Sequence, residues 1–432
     1  MLVWLLKISE AIPTDETVSK GRTAMLAEKL VERGHEVVWW VSCFDHTKKR
    51  MVLEDDADLN LAPGILVKAL KGMPYAASFS LRRYIDHRII AWKFRKRADS
   101  VPLPHLIVAC MPDYNLAWEA VAFARKRGIP IVVDIRDPWP DLFVDHAPSI
   151  LKPLLRVVLY RDFQKLKRTL QAADAITSMV NGLLQWGLSK AGRRPTWKDR
   201  VFLIGAPRPN KGAGGSVSDR IAAVLEQVKT KFVVAFTGTF NRTYDPTVII
   251  NAAELLQQRK DLQGRIAFVM AGDGDYFSQT KNLAHKLGNV FFPGWVNRQE
   301  RDSIHSVSSV GVVPGTLPGA FPNKAFAYLS AGLPVLSSTG GDLNRLLSDY
   351  DAGYYFGAGN HVQLASLIVK LLEEPGLQRK MAQNARRLFD ERLDADKIYS
   401  SFVDHLEALA RERPAHGAKA TDKELFKTGA AT

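Results

Sequence analysis

The sequence predicts an α/β protein built from two doubly wound, Rossmann-like parallel-sheet domains, and three observations predict it. Short apolar runs alternate with helical stretches along most of the chain, as strands buried on both faces require. The alternation is interrupted once by a Pro/Gly/Lys-rich piece, residues 207–215, and then starts again. At 432 residues the chain also exceeds the size at which one core suffices.

In order, residues 2–8 form a first strand and lead into a polar loop running to 22. Residues 23–33 carry Met25, Leu26 and Leu30 at helical spacing, closed by Gly34. Residues 36–42 (Glu-Val-Val-Trp-Trp-Val-Ser) make a second strand, whereas 51–75 have no regular period. Buried strands follow at 106–110, 131–135 and 175–178, each beside a helical stretch. Beyond the interruption, strands are expected at 232–236, 266–270, 290–292, 310–313 and 335–337, with helices at 247–258 and 277–287. The expected division is 1–200, then 201–385, then helices over 386–412 that return toward the first domain. A polar tail, 413–432, is expected to be disordered. Two such domains on a linker would enclose a cleft at the carboxyl ends of their strands, where α/β sheets bind ligands.

Composition narrows the function classes. A hydrophobic fraction of 46% describes a globular chain, and a formal charge of +14 asks for a polyanionic partner: a membrane surface, nucleic acid or a phosphorylated substrate. The two cysteines, Cys43 and Cys110, sit in apolar runs and read as buried thiols of a reducing compartment, with no zinc spacing. The apolar run at 2–6 is broken by Lys7, too short for a signal-peptide core or a span, so a cytoplasmic protein is expected.

One stretch organises the second half: Pro318-Gly319-Ala320-Phe321-Pro322-Asn323-Lys324, a helical turn pattern, then Gly332-Leu333-Pro334-Val335. A helix opened by such a loop presents unpaired N–H groups and a partial positive charge, here with a lysine beside them, which suits phosphate. Asn323 has the side chain of an N-cap and Gly332 stands where a helix C-cap belongs. An ordinary αβ connection would use the same residues.

The second half contains Phe236-Thr237-Gly238-Thr239-Phe240, Ala271-Gly272-Asp273-Gly274-Asp275, Gly294-Trp295-Val296 and the Asn323-Lys324 stretch, in that order. The first half contains Ala27-Glu28-Lys29-Leu30-Val31-Glu32-Arg33-Gly34-His35-Glu36-Val37 and Val133-Asp134-Ile135-Arg136-Asp137-Pro138-Trp139-Pro140-Asp141. Together these resemble the GT-B glycosyltransferases of group 1, or family 4, and the last segment resembles their bacterial capsule and O-antigen members. The resemblance implies a retaining enzyme that moves a sugar from a nucleotide diphosphate to an acceptor hydroxyl. For the capsule type the acceptor is a lipid-linked saccharide, and transfer needs no metal.

The resemblance also implies site residues. Lys324 and the N–H groups of Asn323 to Ala325 would hold the diphosphate, with Arg242 as second cation where the family has Lys-Gly and this chain has Tyr244-Asp245. Gly238, with Thr239, would admit the diphosphate to the backbone. Gly272, Gly274, Trp295 and Val296 would flank the base. Gly21 would lie under the diphosphate, with Lys20 and Arg22 reaching phosphate or acceptor. Arg136 and Asp137 would contact the transferred sugar or the attacking hydroxyl. The chain departs from the family at Gly319 and Ala327, where two glutamates are usual; the second binds the ribose. Asp342 is a substitute carboxylate, and a catalytically silent relative that binds a nucleotide sugar or a partner protein is the alternative.

Residues 68–97 hold Lys68, Lys71, Arg82, Arg83, Arg88, Lys93, Arg95, Lys96 and Arg97 against Asp86 alone. Leu81, Tyr84, Ile85, Ile89 and Trp92 recur there at helical spacing, a pattern that can lie on the anionic inner face of a membrane or pack on its own domain. A second basic group, 152–168, flanks Leu154, Leu155, Val158 and Leu159. No nucleic-acid reading module is recognisable, so nucleic acid is not an expected partner.

Overall fold

A computed structural model describes residues 1–10, 12, 21–46, 48–77, 80–208, 217–316 and 321–412. Lys20, Gly319, most of the 207–215 interruption and the 413–432 tail lie outside the described residues. The chain divides into two units, one of Met1–Leu203 with the chain from Ile398 onward, the other of Ile204–Lys397.

The first unit runs β1 (Leu2–Leu6), α1 (Arg22–Glu32), β2 (Glu36–Ser42), β3 (Phe44–Asp45), β4 (Arg50–Met51), β5 (Ala57–Ala62), β6 (Ile65–Leu70) and α2 (Leu81–Arg97). It continues through β7 (Leu106–Cys110), α3 (Tyr114–Arg127), β8 (Ile131–Ile135), α4 (Asp141–Asp145) and α5 (Lys152–Val158). It closes with α6 (Tyr160–Ala172), β9 (Ala175–Ser178), α7 (Asn181–Ala191) and β10 (Arg200–Val201). An eight-stranded sheet in the order β10-β9-β8-β7-β1-β2-β6-β5 results, parallel except at β5, which pairs antiparallel with β6. Strands such as Leu-Val-Trp-Leu-Leu are buried throughout because helices cover both faces. Trp4 is the centre of one layer, with Trp40 and Phe123 rings at 5.5 and 5.3 Å.

The expectation of irregular chain over 51–75 is corrected here. β5 and β6 form a hairpin that extends the sheet, turning at Ala62-Pro63-Gly64 with Gly64 at φ 83°. β5 alternates exposed and half-buried residues, as a short edge strand does, and so lacks the apolar run that marks a central one.

The second unit runs α8 (Asp219–Val228), β11 (Phe232–Thr237), α9 (Thr247–Gln257), β12 (Ile266–Ala271), α10 (Phe277–Leu283), β13 (Val290–Gly294) and α11 (Arg298–Ser306). Then come β14 (Val310–Val313), α12 (Asn323–Ser330), β15 (Val335–Ser337), α13 (Asp342–Asp349), β16 (Gly353–Tyr355), α14 (His361–Glu373) and α15 (Pro375–Leu388). Its six strands are ordered β13-β12-β11-β14-β15-β16, each pairing parallel. The order reverses direction at β11/β14, and open α/β sheets bind ligands outside the strand ends at such a switch point.

The carboxyl-terminal helices divide differently from the expectation. α15 stays in the second unit, where Arg386 Nη1 donates to the Ser330 carbonyl at 2.8 Å. The boundary falls inside α16 (Ala395–Glu412), and from Ile398 that helix belongs to the first unit. There Phe402 stacks on Phe202 with centroids 4.2 Å apart, and Arg33 pairs with Asp404 at 2.9 Å.

Candidate anion-binding site

The site forms in the second unit where β11 ends and α12 begins. Phe236 and Thr237 close the strand, and the chain turns at Gly238 with φ 147°. Thr237 is fixed from below: its N–H donates to Tyr328 Oη at 2.8 Å, and its Oγ1 lies 3.0 Å from His305 Nε2. Burial lowers the His305 pKa to about 3 and raises that of Tyr328 to about 12, so both are neutral hydrogen-bonding posts at ordinary pH.

Backbone crowding explains the glycines. A β-carbon at Gly238 would stand 3.0 Å from Lys324 Cε, and one at Gly272, whose φ is 139°, would fall 1.9 Å from the Gly238 carbonyl oxygen. Gly238 N–H donates to the Ala271 carbonyl and Gly272 N–H to that of Gly294, at 3.0 and 2.8 Å, so the three strand-end loops are fastened together. Gly272→Ala is therefore expected to cost about 2–3 kcal/mol or more, combining a disallowed φ with a backbone collision. A melting midpoint within 2 °C of the parent would contradict this (about 2–4 °C per kcal/mol is expected for units of this size).

Lys324 is the second residue of α12. Its side chain is nine-tenths buried, yet Nζ has no hydrogen-bond partner among the described residues. The ammonium lies between two rings, 4.1 Å from the Phe236 centroid and 3.9 Å from that of Tyr244. Desolvation lowers its pKa to about 7. Ring faces attract a cation but leave its three N–H donors unmet. This arrangement can take up an anion and gain hydrogen bonds that the free state lacks.

Asn323 is not the N-cap. Pro322, at φ −71° and ψ 138°, occupies that position, and Asn323 is the exposed first helical residue with no side-chain cap. The proline ring holds φ where the chain enters a helix, so the boundary falls one residue earlier. Ala325 N–H donates to the Pro322 carbonyl at 3.0 Å, which removes it from the expected anion donors. Those of Asn323 and Lys324 have no intrahelical acceptor.

The remaining predicted residues are scattered around this centre. Thr239 and Arg242 are exposed on the loop after β11, where the Arg242 carbonyl accepts from Thr316 Oγ1 at 3.2 Å. Gly274 is crowded by Phe240 as Gly272 is by Gly238. Trp295 is 64% exposed. Val296 packs on the apolar cluster of Ile221, Val233 and Ile304. Asp342 opens α13 and is half-buried, and Ala327 presents a half-buried methyl.

Residues 217–388 match the family model described as glycosyl transferases group 1. Residues 217–388 are thus similar to a group 1 glycosyltransferase domain. An uncharacterized glycosyltransferase of Methanocaldococcus jannaschii, MJ1607, is 24% identical over 174 residues, 40% of this chain and 43% of that protein, so the match spans less than half of the relative. Among solved structures, Anabaena Alr3699/HepE in complex with UDP has TM-score 0.65 at 16% identity, covering 94% of this chain and all, 100%, of that one. Sucrose-phosphate synthase of Thermosynechococcus elongatus has TM-score 0.67 at 15% identity, covering 95% and 99%. These likenesses establish the fold as GT-B, with two Rossmann-like units.

The first unit of this GT-B protein corrects several expectations. The amino end of α1, after Gly21, already holds an anion: the Glu10 carboxylate accepts from the N–H groups of Thr23 and Ala24 at 2.9 and 3.1 Å. A β-carbon on Gly21 would lie 2.3 Å from Glu10 Oε1. Glu10 was not singled out from the sequence, because a carboxylate twelve residues before a helix carries no local signal. Arg22 is buried and committed, pairing with Asp134 at 3.2 Å and donating to the Phe202 and Leu203 carbonyls at 2.6 and 3.0 Å. Arg136 is likewise engaged, with Asp134 at 3.1 Å and Glu10 at 2.8 Å. These arginines neutralise the buried Asp134, whose carboxyl is held well below the usual range by them and by the Thr177 hydroxyl. Asp137, by contrast, is exposed at the carboxyl end of β8.

The basic helix α2 is corrected in part. Arg83 is buried, its guanidinium 4.4 Å from the Trp139 ring centroid, and Lys93 pairs with Asp56 at 2.8 Å. Arg82, Arg88 and Trp92 remain exposed. Cys43 and Cys110 are buried free thiols, each with its pKa pushed up to about 11 by burial.

Proposed function

We propose that the protein is a glycosyltransferase that moves a hexosyl or N-acetylhexosaminyl group, with retention, from a nucleotide-diphosphate sugar to a lipid-linked saccharide in cell-surface polysaccharide synthesis. The observation that carries this is the buried Lys324 ammonium, without a hydrogen-bond partner among the described residues, beside Gly238 and the first N–H groups of α12. As the sugar leaves, negative charge grows on the diphosphate oxygens. A fixed cation in a water-poor setting stabilises that charge more than it stabilises the bound substrate. Arg242 is proposed as a second contact to the diphosphate. Asp137 is proposed to accept a hydroxyl hydrogen from the transferred sugar or from the acceptor. Transfer is proposed to proceed without a metal, because the cationic work is assigned to side chains; unchanged turnover in EDTA supports this and loss of turnover refutes it. The group 1 match supports the reaction class, and HepE was crystallised with UDP and with UDP-glucose. The site of action is proposed to be cytoplasmic, at the inner membrane face.

The silent-relative alternative is favoured by one observation, the methyl of Ala327 where a ribose-binding carboxylate is usual. A thermal-shift panel of UDP-, GDP- and dTDP-sugars, followed by turnover on lipid-linked acceptors, decides between them. Stabilisation followed by transfer supports the enzyme. Stabilisation without transfer supports a silent nucleotide-sugar binder, and no stabilisation points to the silent relative that binds a partner protein.

The depressed Lys324 pKa predicts a pH dependence. In the free protein the amine is charged below about pH 7, and a bound diphosphate favours the charged form and so raises its pKa. Above pH 7, binding must take up a proton. Affinity therefore falls by up to about tenfold per pH unit above 7, until the pKa of the bound form is reached. Calorimetry of UDP binding at pH 6 to 9 in buffers of different ionisation enthalpy checks both the fall and the proton uptake.

A further inference from the structure

We propose that residues 150–161 dock the protein on an anionic bilayer surface. An ordinary surface helix turns its apolar side inward, and this segment does the reverse. Helix α5 has no buried residue, and the apolar side chains before, within and after it are open: Ile150 is 87% exposed, Val157 74%, Val158 64%, and Leu154 and Tyr160 60% each. A short helical turn at Ser149–Leu151 leads directly into α5, so the rise is continuous. At about 100° per residue, Ile150, Leu151, Pro153, Leu154, Val157 and Val158 occupy an arc of roughly 160°, with Lys152 and Arg156 together on the opposite flank. Ten helical residues span about 15 Å, enough to lie along an interface and far too short to cross one. No helix among the described residues is long and apolar enough to cross a membrane.

The charge pattern selects the occupant. From Asp145 to Asp162 the chain has no intervening acidic residue, while it carries Lys152, Arg156 and Arg161. None of these three cations has an ion-pair partner among the described residues, in contrast to Lys93 and Arg136. The basic surface continues onto α2, because Tyr84 Oη donates to Asp162 at 3.1 Å and Arg88 Nη1 donates to Tyr84 Oη at 3.1 Å. Arg88 thus stands beside the start of α6, on a helix that also exposes Leu81 and Trp92. A second copy of this chain would bring like charges together. An anionic lipid surface meets the cations with phosphates and the apolar arc with acyl chains. The assignment deepens the lipid-linked acceptor reading and rests on it for purpose alone, since vesicle binding needs neither donor nor acceptor.

The test is flotation of the full chain with vesicles of phosphatidylcholine alone or mixed with phosphatidylglycerol. The wild type is expected to bind the mixed vesicles, with salt weakening the binding. Leu154→Glu combined with Val157→Glu should reduce it roughly tenfold or more, as should Lys152→Glu combined with Arg156→Glu. Stabilisation by nucleotide sugars should be unchanged in both, which separates lost docking from misfolding. A wild type that ignores anionic vesicles, or double variants that bind like wild type, would overturn the assignment. So would apolar-face variants that convert a dimer to monomer while the wild type floats with no vesicle. Docking lost in the variants, with no transfer to any lipid-linked acceptor by the wild type, supports the surface and counts against the acceptor class instead.

Discussion

Replacing Lys324 with alanine is expected to lower kcat/KM by about 10²- to 10³-fold and to abolish stabilisation by nucleotide diphosphates. The unliganded protein should melt at the parent temperature or above it. Those two expectations belong together. A lysine kept for structure would make hydrogen bonds or an ion pair, and its removal would destabilise the fold. Lys324 instead bears a desolvation cost with, among the described residues, two ring faces against it. Removing it relieves that cost. The same balance has a pH signature: the folded pKa is about 7 and the unfolded value 10.5, so the destabilisation is complete below pH 7 and fades as pH rises between those values. Lys324→Ala should flatten that part of the stability profile. A variant that loses several degrees of melting temperature while keeping nucleotide binding would identify a structural lysine.

The second large effect is expected in the first unit. Asp134→Ala leaves the buried Arg22 with the Phe202 and Leu203 carbonyls and the buried Arg136 with Glu10, each deprived of the carboxylate they share. Removing one partner from such a network costs about 3–5 kcal/mol, because the penalty of the stranded charges is exposed in full. Denaturant unfolding followed by circular dichroism should show an early transition in the variant that the parent lacks. A loss under about 1 kcal/mol would mean that solvent reaches the arginines. The linkage sign is the acidic one: the folded carboxyl lies below its unfolded value, so its contribution is present above about pH 4 and fades as pH falls through the folded pKa. Between pH 6 and 8 this network therefore adds no pH dependence.

Both sheets were legible because buried parallel strands read as apolar runs, and the Lys324 loop was legible because Pro and Gly lead into a helix. What escaped was decided at a distance. Arg22 and Arg136 look like site cations until Asp134 meets the first across 112 positions of sequence. Lys93 looks solvated until Asp56 comes up beside it. The 57–70 hairpin escaped because its edge strand alternates Asp58 and Asn60 with Leu59 and Leu61, so no continuous apolar run marks it. Asn323 has the better capping side chain, but Pro322 has the backbone, and the backbone sets the boundary. Tyr244 was visible only as a departure from the family's cation; its ring proves to face Lys324.

The charge state of the Lys324 amine decides whether it serves the diphosphate, and that state can be measured. Carbon-13 labelling of lysine side chains, with Lys324→Ala to assign the resonance, gives the Lys324 pKa by NMR titration in the free protein and with saturating UDP. The expected values are about 7 without the nucleotide and at least one unit higher with it. A free-protein pKa near the ordinary lysine value, or one that UDP leaves unmoved, would contradict the assignment of Lys324 to the diphosphate.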